Sequence, residues 1–407
     1  MIASWWLVLL PLVACLAFFV AYYLFYAVMY FLLPERVSAP AVPNRRFVVV
    51  IPAHNEEALI HRTLQHALAI DYPADRFRVA VVADNCTDRT ALIARRSPVL
   101  VLERHDTERR GKGYALTWAT HHLPLADYDA VVIIDADTII HPGFLRQMNT
   151  ALCAGARVIQ AYNDLLNPHD TCLTRLMHVT SVLKNRLFNE ARARLGLSVS
   201  LMGTGMCFDR ALLQETGWKA HSIGEDWEFS ARLIQSRQPV AFAVRAVTYS
   251  QEATTFRQGF SQRLRWSGGK FAVIAAYTIP LLLDCLRRRD FRGLDSLLAL
   301  LAPPFSQVAY LSVLLFGLSW LLPMPGPVLN LRLTMAVLLV LQATYLALGL
   351  IEMKAPFKTS VAIFLSPFYL SWKAAVDVIA VTGFRRTAWV RTRRHPSEFR
   401  STLDPRD

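Results

Sequence analysis

Val131-Val132-Ile133-Ile134-Asp135-Ala136-Asp137 constrains this chain more than any other stretch. Four apolar residues run directly into two acids one residue apart. A short continuous apolar run is what a strand buried on both faces carries, as in a parallel sheet. Aspartate is a poor strand residue, so the acids belong where the strand ends. Open α/β sheets bind ligands at the carboxyl ends of their strands. Two carboxylates there offer hard oxygen ligands to Mg²⁺ or Mn²⁺, and such ions complete their shells with substrate phosphates. A capped turn at a strand end is the plainer alternative for an isolated D-x-D.

Composition narrows the partners. Of 407 residues, Lys and Arg number 44 against 31 Asp and Glu, an excess that suits nucleotide phosphates or anionic lipid headgroups. The sequence carries no zinc-finger spacing, RNP motif or other nucleic-acid module, so no nucleic-acid partner is expected. The six cysteines, Cys15, Cys86, Cys153, Cys172, Cys207 and Cys285, are scattered and form no C-x-x-C. Neither a zinc site nor a disulfide framework follows, which fits a reduced compartment.

Trp5 to Leu33 carries no charge over 29 residues. About 20 residues cross a bilayer, so residues 1–43 read as a transmembrane helix and a proline-containing linker. A cleaved signal peptide would be shorter and would follow a basic segment. Arg36, Arg45 and Arg46 come next, which by the positive-inside rule puts the following domain in the cytosol. Residues 44–270 alternate apolar strands with helical stretches, predicting one α/β domain: strands at Phe47–Ile51, Val79–Ala83, Val99–Leu102 and the D-x-D strand. Residues 271–293 hold an apolar run of about 16 residues closed by Arg287-Arg288-Arg289. That is short for a span and suits a helix lying in the membrane surface. Within 294–352, Leu294–Leu322 and Leu331–Ile351 are each long enough to cross. In 353–407, Val361–Phe384 contains Pro367, Lys373 and Asp377, each costly in hydrocarbon. It reads as an interfacial or re-entrant segment before a basic tail, giving three spans; a fourth span is the alternative.

Seven stretches, in order over about 220 residues, carry a resemblance. They are Ile51-Pro52-Ala53-His54-Asn55-Glu56-Glu57, Ala83-Asp84-Asn85-Cys86-Thr87-Asp88, Gly111-Lys112-Gly113, Asp135-Ala136-Asp137, Gly203-Thr204-Gly205, Glu225-Asp226 and Gln262-Arg263-Leu264-Arg265-Trp266. Together they resemble the membrane-integrated family-2 glycosyltransferases, the group of cellulose, hyaluronan and poly-N-acetylglucosamine synthases. The resemblance implies a GT-A type α/β domain, Rossmann-like with a mostly parallel sheet, joined to transmembrane and interfacial helices at a bacterial-type inner membrane. It implies a UDP-sugar donor and inverting transfer.

Specific roles follow. Pro52, Ala53, His54 and Glu56 would line the nucleotide base, and Asp84 would accept from uracil. Asp88 would contribute there or cap the next helix. Lys112, a compact cation between glycines, would meet the diphosphate or sugar. Asp137 would hold Mg²⁺ or Mn²⁺, with Asp135 on ribose, donor sugar or the ion. Gly203, Thr204 and Gly205 would form a turn beside the acceptor. Asp226, beside Glu225, would be the general base, or else a helix cap. Gln262, Arg265 and Trp266 share a helical face by spacing; Arg265 would grip phosphate and Trp266 a sugar ring, or both would anchor in lipid.

Three destinations remain open for the transferred sugar. One is a growing polysaccharide, threaded outward with the help of a homo-oligomer or a secretion partner. Another is a lipid-linked acceptor that takes a single sugar. A non-enzymatic scaffold that binds anions and membrane lipids would transfer nothing.

Overall fold

The computed structural model describes residues 6–36, 38–321 and 326–382. The basic tail from Arg385 and the turn residues 323–325 lie outside them. Four strands, β1 (Phe47–Ala53), β2 (Phe77–Asp84), β3 (Leu100–Arg104) and β4 (Ala130–Ile133), pair in parallel in the order β3-β2-β1-β4. Their apolar runs feed two cores because alternate residues face opposite sides of a sheet. Val49, Ile51, Val81 and Val132 lie in one core. Val48, Val50, Val82 and Val131 lie in the other, with Phe208, Trp218 and Phe229.

The second half of the sheet is not parallel. β7 (Met206–Asp209) runs antiparallel to β4 and to β6 (Val158–Leu165); β8 (Val240–Ser250) lies parallel to β6 and antiparallel to β5 (Thr138–Ile140). Ile133 at the end of β4 faces Met206 at the start of β7. Reversal of one strand therefore brings the residues after β4, Asp135 to Asp137, to the same rim as those before β7, Gly203 to Gly205.

The N-terminal helix (Trp6–Leu32) docks on this domain through arginines. Arg194 donates to Leu33 O (2.7 Å) and Tyr30 O (2.5 Å), closing carbonyls that the helix end leaves open. Arg192, fully buried, pairs with Asp295 at 2.6 Å and donates to Tyr26 at 2.8 Å. Both arginines follow a π-helical stretch, Leu183–Glu190, an irregularity often found at functional sites.

Two features correct the sequence reading, and a third leaves both of its alternatives for the last segment open. First, the boundary expected at residue 270 falls inside one continuous helix, Phe256–Arg287, which carries Gln262 to Trp266 and the apolar run together. Its middle meets the Glu225–Gln235 helix through Gly269, Lys270 and Tyr277, and just past its end Asp290 lies 3.6 Å from Arg237 of the α/β domain. Secondly, the span expected at Leu294–Leu322 is broken into Phe291–Leu301 and Phe305–Ser319, bent by 63°. Pro303-Pro304 cannot continue a helix, since proline lacks an N–H and clashes with the preceding turn. The carbonyls freed at the break are taken by Lys270 (to Ala302 O, 3.0 Å) and the Tyr23 hydroxyl (to Pro303 O). Such pairing is required where backbone leaves regular structure near lipid. Thirdly, the last segment is a bent pair, Phe357–Phe364 and Ser366–Thr382, at 58°. By length and composition, three described helices can cross a membrane, Leu9–Leu32, Phe256–Arg287 and Leu329–Glu352, or up to five if each bent pair is one span.

Candidate active site

The rim gathers residues from four sequence-distant stretches around Lys112. This lysine starts the Lys112–His122 helix after Gly111, whose φ of +117° only glycine adopts readily. Its ammonium reaches Asp135 Oδ1 at 2.6 Å, Glu225 Oε1 at 3.2 Å and Gly203 O at 2.6 Å. Three acceptors use all three of its protons. Lys112 was expected on the diphosphate; here it braces the two acidic stretches against each other. Burial works against its charge, but Asp135 and Glu225 outweigh burial and hold the ammonium above its usual range.

Asp226 stands in the first turn of the Glu225–Gln235 helix. A Cβ on Gly203 would lie 3.4 Å from Asp226 Oδ2, so glycine with φ +84° lets the turn reach the carboxylate. Asp226 does not cap the helix in the ordinary way: Gly224 holds the N-cap position, and Asp226 Oδ1 accepts its neighbour Trp227 N–H at 2.9 Å. Burial and the charge of Glu225 raise its carboxyl to about 7, against the pull of Lys112. A carboxylate tuned near neutrality is suited to general-base work. Gly224 also meets Gly269 of the long helix backbone to backbone: a Cβ on Gly269 would lie 2.8 Å from Gly224 N.

Thr204 was expected on the acceptor and is not available to it. Only 3% exposed, its hydroxyl accepts Asp135 N–H at 3.1 Å and lies 3.2 Å from Thr138 Oγ1. It is a strut between the Gly203–Gly205 turn and the D-x-D turn. Asp135 and Asp137 give two hard carboxylates on one turn, a donor set that fits Mg²⁺ or Mn²⁺. Among the described residues no group of three His, Cys, Asp or Glu forms a metal site alone, so an ion there would take its other ligands from phosphate and water. Burial pushes the Asp135 carboxyl up, Lys112 opposes it and Asp137 adds to it.

At the far end of the rim, β2 and β3 place Asp84 opposite Arg104. The two buried side chains meet at 2.5 Å, and Asn85 donates to the same oxygen at 3.0 Å. Burial raises the Asp84 carboxyl although Arg104 counters it. His54 Nδ1 lies 2.7 Å from Asp84 O. Pro52 and Ala53 remain inside β1, paired with Val82 and Ala83. Ala53 is buried, so its side chain packs in the core and does not line the nucleotide as expected. Glu56 starts the following turn, its N–H donating to Thr90 Oγ1 at 2.7 Å. Asp88 is a turn residue, accepting from Thr90 N at 2.9 Å and Glu57 N at 3.1 Å.

Gln262 is buried, Arg265 half-buried and Trp266 exposed, so the face they share by spacing runs from interior to surface. The Arg263 guanidinium stands 5.8 Å from the Trp266 ring and 5.9 Å from that of Tyr369. Sequence reading missed Arg104, Thr138, the Gly224–Gly269 contact and Glu228. Glu228 holds the loop before the helix by accepting His221 N (3.0 Å) and Ser222 N (2.9 Å), and it accepts the Tyr277 hydroxyl from the long helix at 3.2 Å. The run of acids Glu225, Asp226 and Glu228 was the available signal for the last of these.

A mixed sheet with a D-x-D turn, a braced lysine and a second acid at one rim defines a sugar-nucleotide transferase of GT-A type. The sequence profile described as "Glycosyltransferase like family 2" matches residues 43–269, more than half of the chain, and the chain belongs to that family. It is similar to a Bacillus subtilis protein named probable glycosyltransferase YdaM, 27% identical over 241 residues covering 56% of each. It is 28% identical over 241 residues to a Synechocystis β-monoglucosyldiacylglycerol synthase, covering 58% of this chain and 50% of that one. The chain spans about half the length of these curated relatives. A solved mannosyltransferase, PcManGT from Pyrobaculum calidifontis with GDP-Man and Mn²⁺, shares the fold. It has a TM-score of 0.53 at 21% identity, over 82% of this chain and 96% of that one.

Proposed function

We propose that this glycosyltransferase moves a hexose from a UDP-sugar to the hydroxyl of a membrane-borne lipid, with inversion, at the cytosolic membrane face. One observation carries the reading. Asp226, raised to about 7, stands beside Gly203 across Lys112 from Asp135, on a helix whose start touches the long apolar helix.

The uracil would lie against the rim at His54, with Asp84 held in place by Arg104 to accept its N–H. Lys112 and Arg265 supply cationic charge near the diphosphate. When donor binds, Lys112 exchanges one of its three acceptors for a phosphate oxygen. Asp135 and Asp137 would hold Mg²⁺ or Mn²⁺, which supplies charge stabilisation to the departing nucleoside diphosphate. Asp226 takes the proton from the acceptor hydroxyl as its oxygen attacks C1 of the sugar; the C1–O bond to the diphosphate breaks on the opposite face. One base and one displacement invert C1, whereas retention would call for a second carboxylate acting as nucleophile.

The lipid acceptor draws support from the Synechocystis relative's name and from the apolar helix touching the base-bearing one. Purified protein with a nucleotide-sugar panel and Mn²⁺, read by nucleoside diphosphate release and product size, tests it. One sugar per lipid is expected; long polymer would move the reading to polysaccharide elongation. No release with any donor would remove the enzymatic reading.

A further inference from the structure

Residues 201–205 precede β7 and belong to no strand, so no sheet ladder pairs their backbone. Leu201, Gly203, Thr204 and Gly205 are nevertheless buried. Gly203 and Gly205 hold left-handed backbone, with φ of +84° and +66°. Buried N–H and C=O groups need partners, so something outside the segment must supply them.

Gln160 of β6 supplies most of them. Successive strand residues face opposite sides of a sheet. Ile159 and Ala161 face one core, and Gln160 shares the other face with Val158. Its side chain is fully enclosed and its amide brackets Gly203. Oε1 accepts Met202 N–H at 2.8 Å, while Nε2 donates to Thr204 O at 2.9 Å and to Ala161 O at 3.0 Å. An amide offers two donor hydrogens and an acceptor oxygen, and all are used here. Ala161 N–H completes the attachment by donating to Gly205 O at 2.9 Å.

The other end of the segment is tied to the helix that carries Asp226. Ser230, buried one turn further along that helix, accepts Leu201 N–H at 2.9 Å and donates to Asp226 O at 2.8 Å. Gln160 therefore fastens the segment to the sheet, and Ser230 fastens it to the helix. Gly203 lies between these attachments, where an added Cβ would stand 3.4 Å from Asp226 Oδ2. Without the Gln160 amide, Met202 N–H and Thr204 O lose their partners and Gly203 is free to shift away from the carboxylate.

We propose that Gln160 is a positioning residue, which holds Gly203 against Asp226 and so sets where an acceptor hydroxyl meets that carboxylate without itself touching substrate. This rests on the reading of Asp226 as general base.

The test uses full-length protein in phosphatidylcholine nanodiscs holding diacylglycerol, with the donor found active in the panel. Q160M keeps the length of the side chain and removes both of its hydrogen-bonding ends. Its kcat should fall about 10- to 100-fold, as a base displaced by about 1 Å would require. Donor KM and UDP affinity in Mn²⁺ should stay within about twofold of wild type, which also shows that the variant folds. In a D226N background, Q160M should cost less than about threefold more, because the group it positions is gone. I159V opens space on the opposite face of the same strand. It should lower the melting temperature and leave kcat within about twofold. S230A loosens the segment from its other end and should repeat the Q160M result, which keeps the proposal open to test if Q160M does not fold. An unchanged kcat in folded Q160M or in S230A would overturn the proposal. So would an equal fold-loss with and without Asp226, a loss confined to donor KM, or an I159V variant as slow as Q160M. No transfer by the wild type with any donor would remove the base reading and this proposal together, whereas an active wild type with an indifferent Q160M would remove the proposal alone.

Discussion

At the scale of single residues, the consequential fact is a carboxyl raised to about 7 in a cleft it shares with Glu225 and Lys112. A general base must be ionised. Activity should therefore be full above its pKa and fall tenfold per pH unit below it. The kcat/KM profile should show an acid limb near pH 7, and D226N should lose roughly 10²–10⁴-fold in kcat with that limb abolished. Asp84 gives a second prediction. D84N takes one of two carboxylates from the buried Arg104 and leaves Asp106 at 2.8 Å, so the loss should fall below the roughly 3–5 kcal/mol of breaking a buried pair outright. The melting temperature should fall and the UDP affinity with it; a variant that weakens UDP binding at unchanged stability would separate base contact from structural pairing. Both acids were legible in the sequence because each sits at the end of an apolar strand or in an acidic run. Arg104 was not. Its partner is fixed by the β2–β3 register, which no local pattern reveals. Thr204 was misjudged for the same reason: its neighbours Asp135 and Thr138 reach it only through the β4–β7 pairing.

Among elements, the four parallel strands announced themselves as apolar runs, and the structure has them within a few residues. The remaining strands did not. β6 mixes Gln160, Asn163 and Asp164 into its run, and β7 is four residues long. Continuous hydrophobicity also hid the break at Pro303-Pro304, although two prolines in series were visible. The contact of Gly224 with Gly269 was invisible, since glycine gives no periodic signal, yet it sets how closely the long helix approaches the helix that carries Asp226. G269A must push the two backbones apart, because its Cβ would stand 2.8 Å from Gly224 N. A displacement of about 1 Å can cost 10²-fold in rate. The expected outcome is a kcat reduced about 10- to 100-fold with donor KM unchanged, measured by steady-state kinetics. G317A, where a Cβ meets nothing within 4 Å, should be near neutral.

For the whole molecule, the α/β domain and the membrane-type helices form one piece, with arginines as the joint. Arg192 is fully enclosed, its guanidinium shared by Asp295, Tyr26 and Ser198 O. D295A strands that charge and should destabilise the protein by about 3–5 kcal/mol, read as a lower melting temperature in detergent. An unchanged melting temperature would mean that the two parts are held by packing alone. Exposed apolar side chains such as Leu321, Val340, Phe364 and Phe368 cover the helical part and fit a lipid surround. The central claim is that Asp226 deprotonates an acceptor hydroxyl while the donor lies over the D-x-D rim. Its most direct test is the anomeric configuration of the product, followed by proton NMR for wild type and D226N. The account predicts an inverted linkage from the wild type and product formed roughly 10²–10⁴-fold more slowly by D226N. A retained configuration, or inverted product at an unchanged rate from D226N, would contradict it.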